Sequence, residues 1–140
     1  MPVSTASVLS LDVGGKRIGV AIASLEARLA RPLTTIDTAE AMDKLDELIR
    51  QESVARIIVG LPRNQEGKTT EQTVATQLFA DKLIQFGLPI DFQDESVTSK
   101  QAEAELKAGG KPYRRGDVDA LAATYILDDW LLEHPEMNNE

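Results

Sequence analysis

The chain contains no cysteine, which excludes disulfide frameworks, thiolate catalysis and Cys-ligated zinc. No apolar run approaches the ~20 residues that cross a bilayer. No basic segment followed by an apolar core opens the sequence, so neither a membrane span nor a signal peptide is expected. Positive charge is in short supply: 15 Lys and Arg stand against 23 Asp and Glu, for a net charge of −8. Holding nucleic acid by bulk charge alone is thereby excluded, but a local basic patch is not. There is no internal repeat, linker or low-complexity tract. At 140 residues a single domain of about residues 7–132 is expected, in a reducing cytoplasm, with a core that needs no covalent staple.

The charge that is present is segregated. Acid gathers in 37–52 and in the tail from Asp128 to Glu140, whereas 107–115 carries Lys107, Lys111, Arg114 and Arg115 with no acid. Such separation permits a basic surface on an acidic protein.

Hydrophobic periodicity predicts strands at about 7–13 and 17–24, joined through Gly14-Gly15, and a third extended segment within 30–37. A helix is predicted from Thr38 to Gln51, with Asp37 and Glu40 as a capping box. Ile57-Ile58-Val59 reads as a buried parallel strand. A helix over about 70–86 should turn Val74, Leu78, Phe79, Leu83 and Phe86 inward, and Gly87 should stop it. A strand over 88–93 then leads to Asp94-Glu95. Thr98 and Gln101 suggest a second capping box, on a helix to about 107. The last helix is predicted to start at Asp117, as its N-cap, with Val118, Leu121, Ala122, Tyr125, Ile126 and Leu132 inside. The order β-β-β-α-β-α-β-α-α predicts an α/β layer domain with a mixed sheet.

Within that pattern Asp12 is anomalous. It lies in Val8-Leu9-Ser10-Leu11-Asp12-Val13, where an unpaired buried carboxylate would cost several kcal/mol. Alternation puts Ser10 and Asp12 on one face and Leu9, Leu11 and Val13 on the other. Glu95 follows another strand, at the edge where α/β sheets place ligands. Asp119 is flanked by Ala120, Ala122 and Ala123, small enough for the helix to approach the sheet closely. Three such carboxylates would make a hard oxygen site suited to Mg²⁺ or Mn²⁺. The stretch Gly60 to Thr69 imitates a phosphate-binding loop, but Pro62 stands where that motif needs glycine, so ATP binding is rejected there.

Four motifs in register resemble the YqgF/RuvX family: Asp12 to Ala21; Val59-Gly60-Leu61-Pro62 with Asn64 and Gly67; Asp94-Glu95 with Thr98-Ser99; and Val118-Asp119 with Ala122-Ala123 and Ile126-Leu127. Gly15 departs from the usual pattern, where Thr is common. The resemblance implies a ribonuclease H-like fold, with a mixed five-stranded sheet and helices on both faces. It also implies an endonuclease whose metal-binding acids are Asp12, Glu95 and Asp119, with Asp12 bridging two Mg²⁺ or Mn²⁺ ions. The implied task is 5′-end processing of pre-16S rRNA. The alternatives are a Holliday junction resolvase and a non-catalytic RNA-binding or ribosome-assembly module.

Lys16, Arg17, Arg63, Asn64, Lys111, Arg114 and Arg115 are the expected substrate contacts. An actin-like ATPase also opens with D-x-G and a glycine hairpin, but this chain has no second such strand. Structured RNA is the expected partner, with a DNA junction as the other choice. Monomer and homodimer both remain open.

Overall fold

The structure, a computed structural model, describes residues 6–62, 70–95 and 98–135, with the side chains at 95 and 98–100 left out. Strands β1 (Ser7–Val13), β2 (Arg17–Ser24) and β3 (Arg31–Asp37) form an antiparallel meander. A 3₁₀ turn at Thr38–Glu40 leads into helix α1 (Ala41–Gln51). Strand β4 (Val54–Pro62), helix α2 (Glu71–Lys82) and strand β5 (Ile90–Glu95) follow, and then helices α3 (Thr98–Ala108) and α4 (Arg115–Glu133). The sheet order is β3-β2-β1-β4-β5, with β1, β4 and β5 mutually parallel. The carboxyl ends of β1 and β5 therefore share one edge.

Alternation along β1 divides the core as the sequence implies. Leu9, Leu11 and Val13 join Leu45 of α1 and Phe79 of α2 on one face. Val8 packs on the other face with Ile126, Leu127 and Trp130 of α4. Ser10 is also on that face, fully buried, and its hydroxyl donates to the Ala123 carbonyl at 2.6 Å. A buried hydroxyl needs such a partner, and here the partner is the helix itself.

Both ends of α4 are held. At its start the Thr35 hydroxyl donates to the Gly116 carbonyl at 2.6 Å. At its end Arg28, at φ 56°, donates to the carbonyls of Leu131 and His134 at 2.7 and 3.0 Å. Those carbonyls lie at the end of the last turn, and a cation suits the negative end of the helix dipole. Nearby, the Trp130 indole N–H donates to Asp91 at 3.0 Å, and Arg56 pairs with the same carboxylate at 3.0 Å. α3 packs against α4, where the Tyr125 hydroxyl donates to Glu105. Burial, and then that acceptor, push the Tyr125 pKa up to about 12.

Several local expectations are corrected. Asp37 makes no side-chain cap, and the 3₁₀ turn separates it from α1. Val74 and Leu78 face solvent, 48 % and 61 % exposed, as does Leu132 at 80 %. α2 is apolar on two sides, and its phase is set by Thr73, whose hydroxyl donates to the Pro62 carbonyl. That contact turns Thr73, Thr76, Phe79 and Ala80 inward. On α4, Trp130 and Leu131 take the interior and leave Leu132 outside. The cap of α4 lies three residues earlier than expected: Arg114 is the cap residue, and its N–H donates to Asp117 at 2.9 Å. Asp117 is therefore the third residue of the helix, and Asp119 lies past the first turn. The Thr98–Gln101 capping box involves a side chain outside the described set, and the acidic tail beyond 135 lies outside the described residues.

Candidate functional site

The β1–β2 hairpin builds the floor. Gly14 turns the chain, and its N–H donates to the Arg17 carbonyl at 2.9 Å. A Cβ on Gly14 would lie 2.6 Å from that oxygen. Pairing then places Asp12 directly opposite Gly19. Directly opposed residues of an antiparallel pair share a face, so both look toward α4.

Gly19 lets the helix settle there. A Cβ on it would lie 1.9 Å from the Asp119 carbonyl oxygen and 2.8 Å from the Ala120 nitrogen. The helix backbone thus rests directly on β2. Ser10 meets Ala123, and Gly19, beside Asp12, meets Asp119. Two strand residues rise about 6.8 Å and four helix residues about 6 Å, so the two elements keep step. Residues 107 positions apart in sequence, 12 and 119, are therefore set at one level on one face.

Asp12 and Asp119 are both half-buried. Asp119 accepts from Arg17 Nε at 2.8 Å across the mouth of the hairpin. Arg17, an expected phosphate contact, is here committed to an acid of the site. Glu95 ends β5 on the same sheet edge, paired with Pro62 in the parallel ladder. Its backbone is where the sequence places it, and its side chain lies outside the described set. Among the described residues no three acidic, His or Cys side chains gather as a metal cage.

Lys16 is exposed in the turn beside Asp12, and its carbonyl accepts the Thr38 N–H at 3.0 Å. Lys111, Arg114 and Arg115 are exposed around the start of α4. They are less loop-like than expected, because Arg115 is already helical. Arg114 also lines a groove of about 560 Å³ between β3, α3 and α4, together with Thr35, Glu105 and Gly116. Arg63 and Asn64 lie outside the described residues.

Two positions were missed in the sequence. Thr35 carried no signal that separates it from any other strand threonine. Gly19 did carry one: a glycine inside a strand marks a close backbone approach.

A mixed five-stranded sheet with helices on both faces, with Asp12 at the carboxyl end of central strand β1 and Glu95 at that of edge strand β5, is a ribonuclease H-like fold. The fold of Thermus thermophilus RuvC agrees: TM-score 0.53, 17 % identity, covering 92 % of this chain and 96 % of that one. RuvC bound to a Holliday junction substrate gives 0.51, at 17 % identity and over 91 % and 95 % of the two chains. The chain belongs to the family described as "RuvX: Holliday junction resolvase", whose profile matches residues 6–133.

Curated relatives carry the name "Putative pre-16S rRNA nuclease". One from Chloroflexus aurantiacus is 40 % identical, covering 89 % of this chain and 85 % of the relative. One from Pseudomonas syringae pv. tomato is 37 % identical, over 94 % and 95 %. A third, from Picosynechococcus, is 45 % identical, over 89 % and 91 %.

Proposed function

We propose that the protein is a metal-dependent endonuclease that cleaves structured RNA in the cytoplasm, acting at the 5′ end of pre-16S rRNA. The observation that carries this reading is the seating of α4 on Gly19, which sets Asp119 level with Asp12. In this reading Asp12, Glu95 and Asp119 are the catalytic acids. Carboxylate oxygens are the donors that Mg²⁺ and Mn²⁺ prefer, and Asp119 already holds one cation, the Arg17 guanidinium. Asp12, Asp119 and Glu95 are the residues that would hold the metal. Metal bound there supplies Lewis-acid activation of water and stabilisation of the leaving 3′-oxygen. The cleaved strand would carry a 5′-phosphate and a 3′-hydroxyl.

The chain's own groups supply the rest. The half-buried acids are fixed by a strand and a helix rather than by loops, which limits misplacement at the reacting phosphate. Lys16 flanks the acids on the hairpin side, and Lys111, Arg114 and Arg115 flank them on the α4 side. In an acidic protein these are the groups available to steer phosphates toward the acids. The relatives' name favours an rRNA precursor. The family description favours a DNA junction as the second reading.

One comparison separates them. With Mn²⁺ present, a pre-16S rRNA fragment should be cut at its 5′ flank while a synthetic four-way junction stays intact. Paired nicks in the junction and an intact rRNA fragment would reverse the assignment. The basic patch has its own test. Arg114→Ala with Arg115→Ala should weaken substrate binding and flatten the slope of log affinity against log salt by up to about 2. A slope equal to that of the unaltered protein would remove both residues from the phosphate path.

A further inference from the structure

Arg17 is the first residue of β2, and Asp119 belongs to a helix 102 residues later in the chain. They meet through a single-point contact, Nε to Oδ2 at 2.8 Å, with side chains 38 % and 20 % exposed. Arginine is always charged, and its two-pronged carboxylate contact is the strong one. Here the single-point, partly solvated form is used, so the pair is weak and exchangeable. A guanidinium at this distance also repels any divalent cation that approaches the same carboxylate. The two cations therefore compete for Asp119.

We infer that Arg17 is the resident counter-cation of the metal-free site, displaced from Asp119 when the divalent metal loads. Resting on the metal reading above, this makes Arg17 a positioning residue. It keeps Asp119 compensated before loading, and afterwards it presents a freed guanidinium at the mouth of the hairpin. Phosphate binding by Arg17 thus becomes conditional on metal. The protein gains a cation for the RNA backbone only when it can also cut. A plain structural strut between β2 and α4 would behave in the opposite way: losing it would loosen Asp119 and weaken metal binding.

The test uses the whole protein and needs no cleavage. In ¹⁵N-labelled wild type, the Arg17 Nε–H resonance should lie away from the unbonded arginine position without metal, and move to it as Mg²⁺ is added. Asp119→Asn should place that resonance at the unbonded position without any metal, which assigns it. By calorimetry, Arg17→Gln should bind Mn²⁺ about fivefold more tightly than wild type, and Arg17→Lys should fall between them.

An Arg17 resonance that stays put while amides of β1 respond to Mg²⁺ overturns the inference and leaves the metal reading standing. Equal or weaker Mn²⁺ binding by Arg17→Gln overturns it as well. If wild type binds neither ion at millimolar concentration, the metal reading itself falls and takes this inference with it. The resonance measurement on wild type decides the matter even if Arg17→Gln fails to fold.

Discussion

Asp12→Asn should lower metal-dependent cleavage by about 10³-fold or more, while leaving the fold intact. The asparagine side chain has nearly the same shape as aspartate and keeps one carbonyl acceptor. What it loses is the negative charge at the centre of the proposed acid set. Stabilising charge on transferring phosphates by bound metal is worth several kcal/mol, and each 1.36 kcal/mol of barrier is tenfold in rate. Asp12 is half-buried on the α4 face, directly opposite Gly19, and asparagine fills the same space there. Thermal unfolding without metal should therefore stay within a few degrees of wild type. Single-turnover cleavage of the rRNA precursor with Mn²⁺ is the measurement. A variant that cuts at the wild-type rate would sink the mechanism.

Gly19→Ala should be the most damaging single-methyl change in the hairpin. The new Cβ would meet the Asp119 carbonyl oxygen at 1.9 Å, its carbon at 2.2 Å and the Ala120 nitrogen at 2.8 Å. All three are backbone atoms of one helix and cannot rotate away. α4 must lift by more than about 1 Å to reach ordinary contact distance. It is held down by the buried Ser10–Ala123 bond and by Thr35–Gly116, so lifting it strains both. Overpacking of this kind costs about 1–3 kcal/mol, and each weakened hydrogen bond adds about 1 kcal/mol. A loss of about 3 kcal/mol should lower Tm by about 10 °C.

The lift also carries Asp119 away from Asp12. A 1 Å misplacement can cost about 10²-fold in rate, which should be visible at a temperature where the variant is still folded. Gly15 is the control, because nothing lies within 4 Å of a Cβ there. Gly15→Ala should keep both Tm and cleavage. Equal behaviour of the two variants would show that α4 does not depend on the gap at Gly19.

The sequence by itself determined the elements, their order and the odd acid. Alternation in Leu9-Ser10-Leu11-Asp12-Val13 assigned the faces of β1 correctly, because a strand's period of two leaves no other arrangement once one face is apolar. The unbroken Ile57-Ile58-Val59 run likewise marked a central parallel strand, since only a strand covered on both sides tolerates it. Where a segment carried apolar residues on two sides, as in α2, periodicity could not say which side was buried. A tertiary contact, Thr73 on the Pro62 carbonyl, decided it. The start of α4 was misread for a similar reason. Asp117 is a good cap residue by type, but it reaches back to the Arg114 N–H from within the helix.

The candidate site divides in the same way. Asp12, Glu95 and Asp119 were legible as residues, through an energetic anomaly, a strand end and a ring of alanines. The level of Asp119 against Asp12 came only from the tertiary structure, because proximity across more than a hundred residues depends on how closely two backbones approach. That approach is set by Gly19, Ser10 and Thr35, none of which carries the chemistry. Only the tertiary structure could pair Arg17 with Asp119, because an arginine beside a turn reads from sequence as a solvated phosphate contact. Local pattern reports what one segment prefers, whereas a site is made by the distance between segments.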